Sequence, residues 1–265
     1  MDIDHIFIFT NDDGKIADEL VQFGLTEGSS RVHVGQGTAN RKFYFGNFFL
    51  EILWVHNEEE LKSDITKPTG LWQRADFNST NSPFGLCIVN TDETEKLFDN
   101  AIKYQPAYFP NGLNIDLLKN EQNLSLPWTF RLPFKGQKKN ETEPTKHKCG
   151  LKNLTSVEFG ISNFDQTDKF ILQFIGQEKI KFNFSATNNL TLTFDDNKKG
   201  LTKEFEKLNL KIKYLQRKTT ANTGFASGGL KCKLGAFYFY LSSVLVDSFV
   251  LRNPPERKAR NRCQI

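Results

Sequence analysis

Apolar and polar positions alternate through "DIDHIFIFT" (residues 2–10), with Ile6 and Ile8 on one side and His5, Phe7 and Phe9 on the other. This is the period-two pattern of a strand. "GKIADELVQFGL" then places Ile16, Leu20 and Phe23 on one helical face and stops at Gly24. Three β-rich runs follow, "SRVHV", "ANRKFYF" and "NFFLEILWV", separated by glycine-bearing turns. Strand, helix, strand, strand, strand is a βαβββ unit, which curls its sheet over the helix and leaves the other face open. The pattern restarts after a polar connection (57–83): "FGLCIVNT" predicts a strand, "DETEKLFDNAIKY" a helix capped by Asp92, and "GLNIDLL" and "WTFRLPF" strands. Beyond a lysine-rich linker (135–148), "LTSVEFGIS", "DQTDKFILQFIG", "IKFNFSA", "NLTLTFDD" and "LKIKYLQ" predict a strand, a helix and three strands. Three strand–helix beginnings argue for duplication. The expected fold is α+β, with repeated βαβββ modules forming a curved, half-barrel mixed sheet around a cleft. The expected divisions are 1–56, 57–134, a linker over 135–153, a third unit at 154–216 and a C-terminal extension at 217–265.

Glu51 breaks the pattern, because a carboxylate inside the apolar "NFFLEILWV" needs a partner if it is buried. Alternation puts it on a face with Leu53 and Val55, and if the helix covers Ile6 and Ile8, both His5 and Glu51 look into the open side. Trp54 then points the other way, into the core. His33 alternates with Val32 and Val34, and faces either the same cleft or solvent. Glycines 35 and 37 let backbone N–H groups converge beside His33, Thr38, Asn40 and Arg41, an alternative reading of that stretch as a rim for an anion or a carbonyl. "GQGTAN" is no nucleotide loop, lacking the third glycine of the dinucleotide fingerprint and the P-loop lysine. Arg131, inside the apolar "PWTFRLPF", calls for an acidic partner or an anionic ligand if buried.

The strand histidine of "DHIFIFT" followed by "HVGQGTANRKFYFGNFFLEIL" resembles the glyoxalase-like branch of the vicinal-oxygen-chelate superfamily, whose members pair βαβββ modules. "SPFGLCIV", "YQPAYFPNGLNIDLL", "HKCGLKNLTSVEF" and "LTLTFDD" extend the likeness over roughly residues 1–216. The resemblance implies a divalent metal ion on His5 and Glu51, with Glu51 as a candidate base; the alternation of His33 with Val32 and Val34 adds it as a candidate third ligand. The resemblance further implies a small-molecule ligand with vicinal oxygens, handled by a metal-dependent lyase, isomerase or dioxygenase. The sequence departs from that pattern in the later modules. Gly85 registers on the position of His5, and Ser156 and Thr191 stand at the ligand positions of the third unit. The alternative is a non-catalytic protein that sequesters a small apolar or aromatic ligand.

Composition changes this picture in three places. Twenty-five phenylalanines against one methionine imply a core of rigid rings, and four scattered cysteines form no C-x-x-C pair. Residues 217–265 carry nine Lys/Arg and two acids, whereas the rest carries 26 and 29, so the body is slightly acidic and does not suit nucleic acid. The tail's apolar run "GAFYFYLSSVLVDSFVL" is 17 residues with Asp247 and three serines inside it, short for a span. A membrane-surface segment, an added helix or strand, and a non-native extension all remain open for it, and membrane contact is not the expectation. No basic n-region follows Met1, and a cytoplasmic location is expected.

Overall fold

The computed structural model describes residues 1–118, 120, 122–136, 142–197 and 200–214, so the basic extension lies outside the described residues. The first module is β1 (Ile3–Thr10), α1 (Ala17–Phe23), β2 (Arg31–His33), β3 (Thr38–Tyr44) and β4 (Phe49–Val55). Gly24 ends α1 in the left-handed region at φ 108°, where its N–H reaches the Leu20 and Val21 carbonyls. Two short helices, α2 (Glu58–Leu61) and α3 (Leu71–Arg74), lie in the connection. The second module has β5 (Phe84–Ile88), β6 (Ile102–Tyr104), β7 (Ile115–Leu117) and β8 (Trp128–Arg131).

These strands make one curled eight-stranded sheet in the order β2-β3-β4-β1-β5-β8-β7-β6. The order reads the same from either edge: β1 is parallel to β4, β5 is parallel to β8, and β1 and β5 run antiparallel at the centre. The expected helix over 92–104 is not formed. Thr91, not Asp92, is the cap; Thr91 and Thr94 bond reciprocally, two 3-10 turns follow at Asp92–Thr94 and Lys96–Phe98, and the chain leaves as β6. Pairing of Ile102 and Tyr104 with β7 overrides the local helical preference.

The later segment folds as β9 (Leu154–Ile161), α4 (Lys169–Leu172), β10 (Ile180–Phe184), β11 (Asn189–Phe194), β12 (Leu201–Phe205) and β13 (Leu210–Tyr214). Its five strands are ordered β10-β9-β11-β13-β12. β9 is parallel to β10, β11 is parallel to β13, and β9 and β11 are antiparallel, so the centre of the first sheet is repeated with outer strands missing.

Alternation sends Ile6, Ile8, Leu50 and Ile52 to the back of the first sheet, where they bury with α1 and with Val157, Phe159, Leu190 and Leu192 of the second sheet. The phenylalanines join the layers: Phe84 meets Phe159 at 6.3 Å between ring centroids, and Phe45 meets Phe194 at 4.7 Å. Residues 142–148 also do more than link, because His147 accepts from the Thr26 N–H through Nδ1 and donates from Nε2 to the Tyr44 carbonyl. Among the described residues no helix is long and apolar enough to cross a membrane.

Candidate functional site

With the back of the sheet covered, the concave face is left for chemistry. It encloses a cavity of about 520 Å³ whose wall includes His5, His33, Asn40, Glu51, Tyr108 and Phe130. β1 contributes through a bulge: Ile3 pairs with Ile88 and His5 with Cys87, so Asp4 is an extra residue on β1. A bulge re-aims side chains, and here it turns Asp4 to the same side as His5. The Asp4 carboxylate accepts from His5 Nδ1 at 2.6 Å, which fixes the tautomer and leaves the Nε2 lone pair facing inward. The imidazole is clamped by a stacked Phe49 ring at 4.3 Å and an edge-on Phe130 ring at 5.2 Å.

Glu51 lies across from that nitrogen. Its Oε2 is 3.8 Å from His5 Nε2, too long for a hydrogen bond, and the two residues are 5% and 6% exposed. Asn40 Nδ2 donates to Glu51 Oε1, while Asn40 Oδ1 accepts from the Arg31 N–H at 2.7 Å. One carboxylate oxygen is thus tied down and the other is presented to the cavity. Asp4, His5 and Cys87 also bring potential ligand atoms within 4.8 Å of one another. Burial, then the charge of Asp4, pushes the Cys87 thiol well above its ordinary range, so it is a protonated neighbour rather than a ready nucleophile.

The other residues expected at the site divide. His33 and Thr38 line or support the cavity: Thr38 Oγ1 accepts from Gln36 Nε2 at 2.9 Å and lies 2.9 Å from His33 Nδ1. Assigned from these partners, Thr38 donates to Nδ1, so Nε2 carries the proton and His33 offers a donor. Burial lowers the pKa of His33, the charge of Glu51 opposing. Neither His33 nor Glu51 belongs to the group that Asp4, His5 and Cys87 form. Arg41 is not on the rim. It follows Asn40 by one residue and so faces the back of β3, where its guanidinium holds Glu27 at 2.6 Å and Asp18 at 2.8 Å. Arg131 likewise faces away, paired with Asp116 and Glu95 at 2.9 Å each; its burial is answered by acidic partners and not by a ligand.

Sequence reasoning did not find Asp4, Lys42 or Tyr108. Asp4 was hidden by the bulge, since strict alternation places it behind the sheet. Lys42 was legible from its spacing, two residues from Asn40. Tyr108 comes from a loop, where no period applies; its hydroxyl donates to Gln36 Oε1 at 2.9 Å and closes one side of the cavity.

A family model described as a glyoxalase-like domain matches residues 3–174. The chain belongs to this family. A hypothetical protein from Staphylococcus aureus aligns with a TM-score of 0.51 and 13% identity, over 81% of this chain and 99% of its own. A hypothetical protein from Bacillus halodurans C-125 aligns at 0.34 and 16% identity, over 52% of this chain and 97% of its own. No curated protein matches the sequence. The similarity to the Staphylococcus protein shows the fold alone. Within this glyoxalase-like chain the two modules differ at equivalent positions. With His5 set on Gly85, strand register sets Glu51 (beside Phe7) on Phe130 (beside Cys87). A Cβ at Gly85 would lie 2.0 Å from the Phe7 ring, so that ring occupies the space a second ligand would need.

Proposed function

We propose that this glyoxalase-like protein binds a small oxygen-bearing molecule in the cavity, with a divalent metal ion held by His5 and Glu51, as a metal-dependent lyase, isomerase or dioxygenase. The observation that carries the reading is the 3.8 Å approach of two buried, inward-facing donor atoms that do not bond each other. Two ligands at ~2.0–2.2 Å from a shared ion lie no more than about 4.4 Å apart, and an imidazole nitrogen with a carboxylate oxygen suits divalent transition metals. The residues present therefore fit the ion. When bound, it supplies Lewis acidity toward neighbouring ligand oxygens.

The chain's own groups have separate tasks in this reading. Asp4 holds His5 in the tautomer that can coordinate. Asn40 fixes Glu51 so that Oε2 is the free oxygen, positioned to take a proton from a bound substrate. Phe49, Phe130 and Trp128 keep water away and strengthen the local electrostatics. A second reading, sequestration without chemistry, is favoured by one specific observation: Gly85 and Phe130 put no ligand at the second-module positions equivalent to His5 and Glu51. The test is metal content after purification without chelator or nickel resin, followed by Mn(II) titration. About one ion per chain, lost in Glu51→Gln, supports the metal reading; a native protein that takes up no ion leaves sequestration.

A further inference from the structure

Among the described residues, two cations on the concave face form no ion pair. Arg31 and Lys42 line the cavity on β2 and β3, on the same side as Asn40. Among the described residues no carboxylate lies within 4.0 Å of either, whereas Arg41 and Arg131, facing the back, hold two acids each. Their contacts are aromatic faces. Arg31 sits 4.7 Å over Tyr108, and Lys42 lies 5.5 Å from Tyr44 and 5.9 Å from Phe49, the ring stacked on His5. Glu143 accepts from the Ser29 N–H and feels the charge of Lys42 without forming an ion pair with it. Across the cavity the second module offers rings and aliphatic chains, among them Ile115, Trp128, Phe130 and Leu132.

Cations left over aromatic faces at a cavity mouth keep their charge available for a ligand. Of the charged side chains lining the cavity, Lys135 is held by Asp92 and Glu95, and Asp4 and Glu51 equal Arg31 and Lys42 in number, so a divalent ion leaves surplus positive charge. From this polarity we infer that the ligand is an anionic aromatic compound: its ring lies on the second-module wall, its vicinal oxygens face His5 and Glu51, and a separate carboxylate meets Lys42 and Arg31. The oxygen placement rests on the metal reading above; the carboxylate contact does not.

The test uses calorimetric binding of 3,4-dihydroxybenzoate and its neutral amide, 3,4-dihydroxybenzamide, to the full chain with and without Mn(II). The acid is expected to bind about tenfold tighter than the amide, as charge-assisted contacts allow. Lys42→Gln and Arg31→Gln each reduce that ratio, and together bring it near one, without weakening the amide. Arg31 is exposed and Lys42 half-buried, and unchanged melting of the variants confirms that folding is intact. A preference for the acid that persists without Mn(II) upholds the inference even if the metal reading fails. Equal, Mn(II)-dependent binding of acid and amide overturns the inference and leaves the metal reading standing. Failure of both compounds to bind in every condition also overturns it.

Discussion

The two halves of the eight-stranded sheet share strand order and pairing, yet one half is built for polar chemistry and the other for packing. In the first, His5 and Glu51 point inward, each braced by one further polar side chain. In the second, the equivalent positions hold Gly85 and Phe130. The difference is steric before it is chemical. The Phe7 ring of the first module lies over Gly85, so filling the concave core with aromatics removed the room for a second ligand set. A duplicated fold thus frames the cavity from both halves, while the paired positions carry His5 and Glu51 in one half and Gly85 and Phe130 in the other.

The sharpest way to break this comparison is to add the missing Cβ. Gly85→Ala is expected to destabilise by about 3 kcal/mol through overpacking against the buried Phe7 ring, read as a lower denaturant midpoint at unchanged slope. Phe7→Leu in the same chain should restore part of the loss. An unchanged midpoint in Gly85→Ala would mean that the ring does not fill the second ligand position.

Asp4→Asn tests the polar half. It should lower Mn(II) affinity by roughly 10–100-fold, because the amide no longer fixes His5 as a carboxylate does. Melting of the ion-free protein should move little. Loss of fold rather than affinity would make the Asp4–His5 pair a structural one.

A smaller effect concerns acid. None of the four histidines lies in residues 57–134. Burial lowers the pKa values of both His33 and His147. A depressed native pKa means that the unfolded chain binds more protons in the window below about pH 6.5. Stability is therefore fully present above that pH and falls as pH drops toward the native values, by at most about 1.4 kcal/mol per pH unit for each histidine. In His147→Gln the acid limb of a melting-temperature profile should flatten; an equally steep limb would assign the acid loss elsewhere.

The smallest expected effect is Arg41→Ala. Because its ion pairs lie behind β3, ion and ligand affinities should stay within about twofold of native by titration. A larger loss would return Arg41 to the cavity rim.

Strand alternation made much of this legible. The inward facing of His5 and Glu51 and the opposite facing of Trp54 follow from period two; Trp54 lies over Gly14 behind the sheet but is half-buried there and is not part of the core expected for it. Where the period is interrupted, the reading failed. The bulge at Asp4 shifted one residue across the sheet, and pairing with β7 drew residues 102–104 out of a predicted helix. Arg41 was misplaced because glycines 35 and 37 suggested a rim, although strand parity already put it opposite Asn40. The partners of Arg131, from β7 and the turn at 95, are distant in sequence and carry no local signal.

The central claim is that His5 and Glu51, and not the second module, hold a divalent ion. Thermal melting of the native protein, His5→Ala and Glu51→Gln with and without Mn(II) tests it most directly. An ion bound to the folded state alone, at 100 times its dissociation constant, stabilises by about 2.7 kcal/mol. The native protein should therefore melt several degrees higher with Mn(II), and both variants should show no such rise. A native protein that ignores the ion, or variants that keep the full rise, would contradict the account.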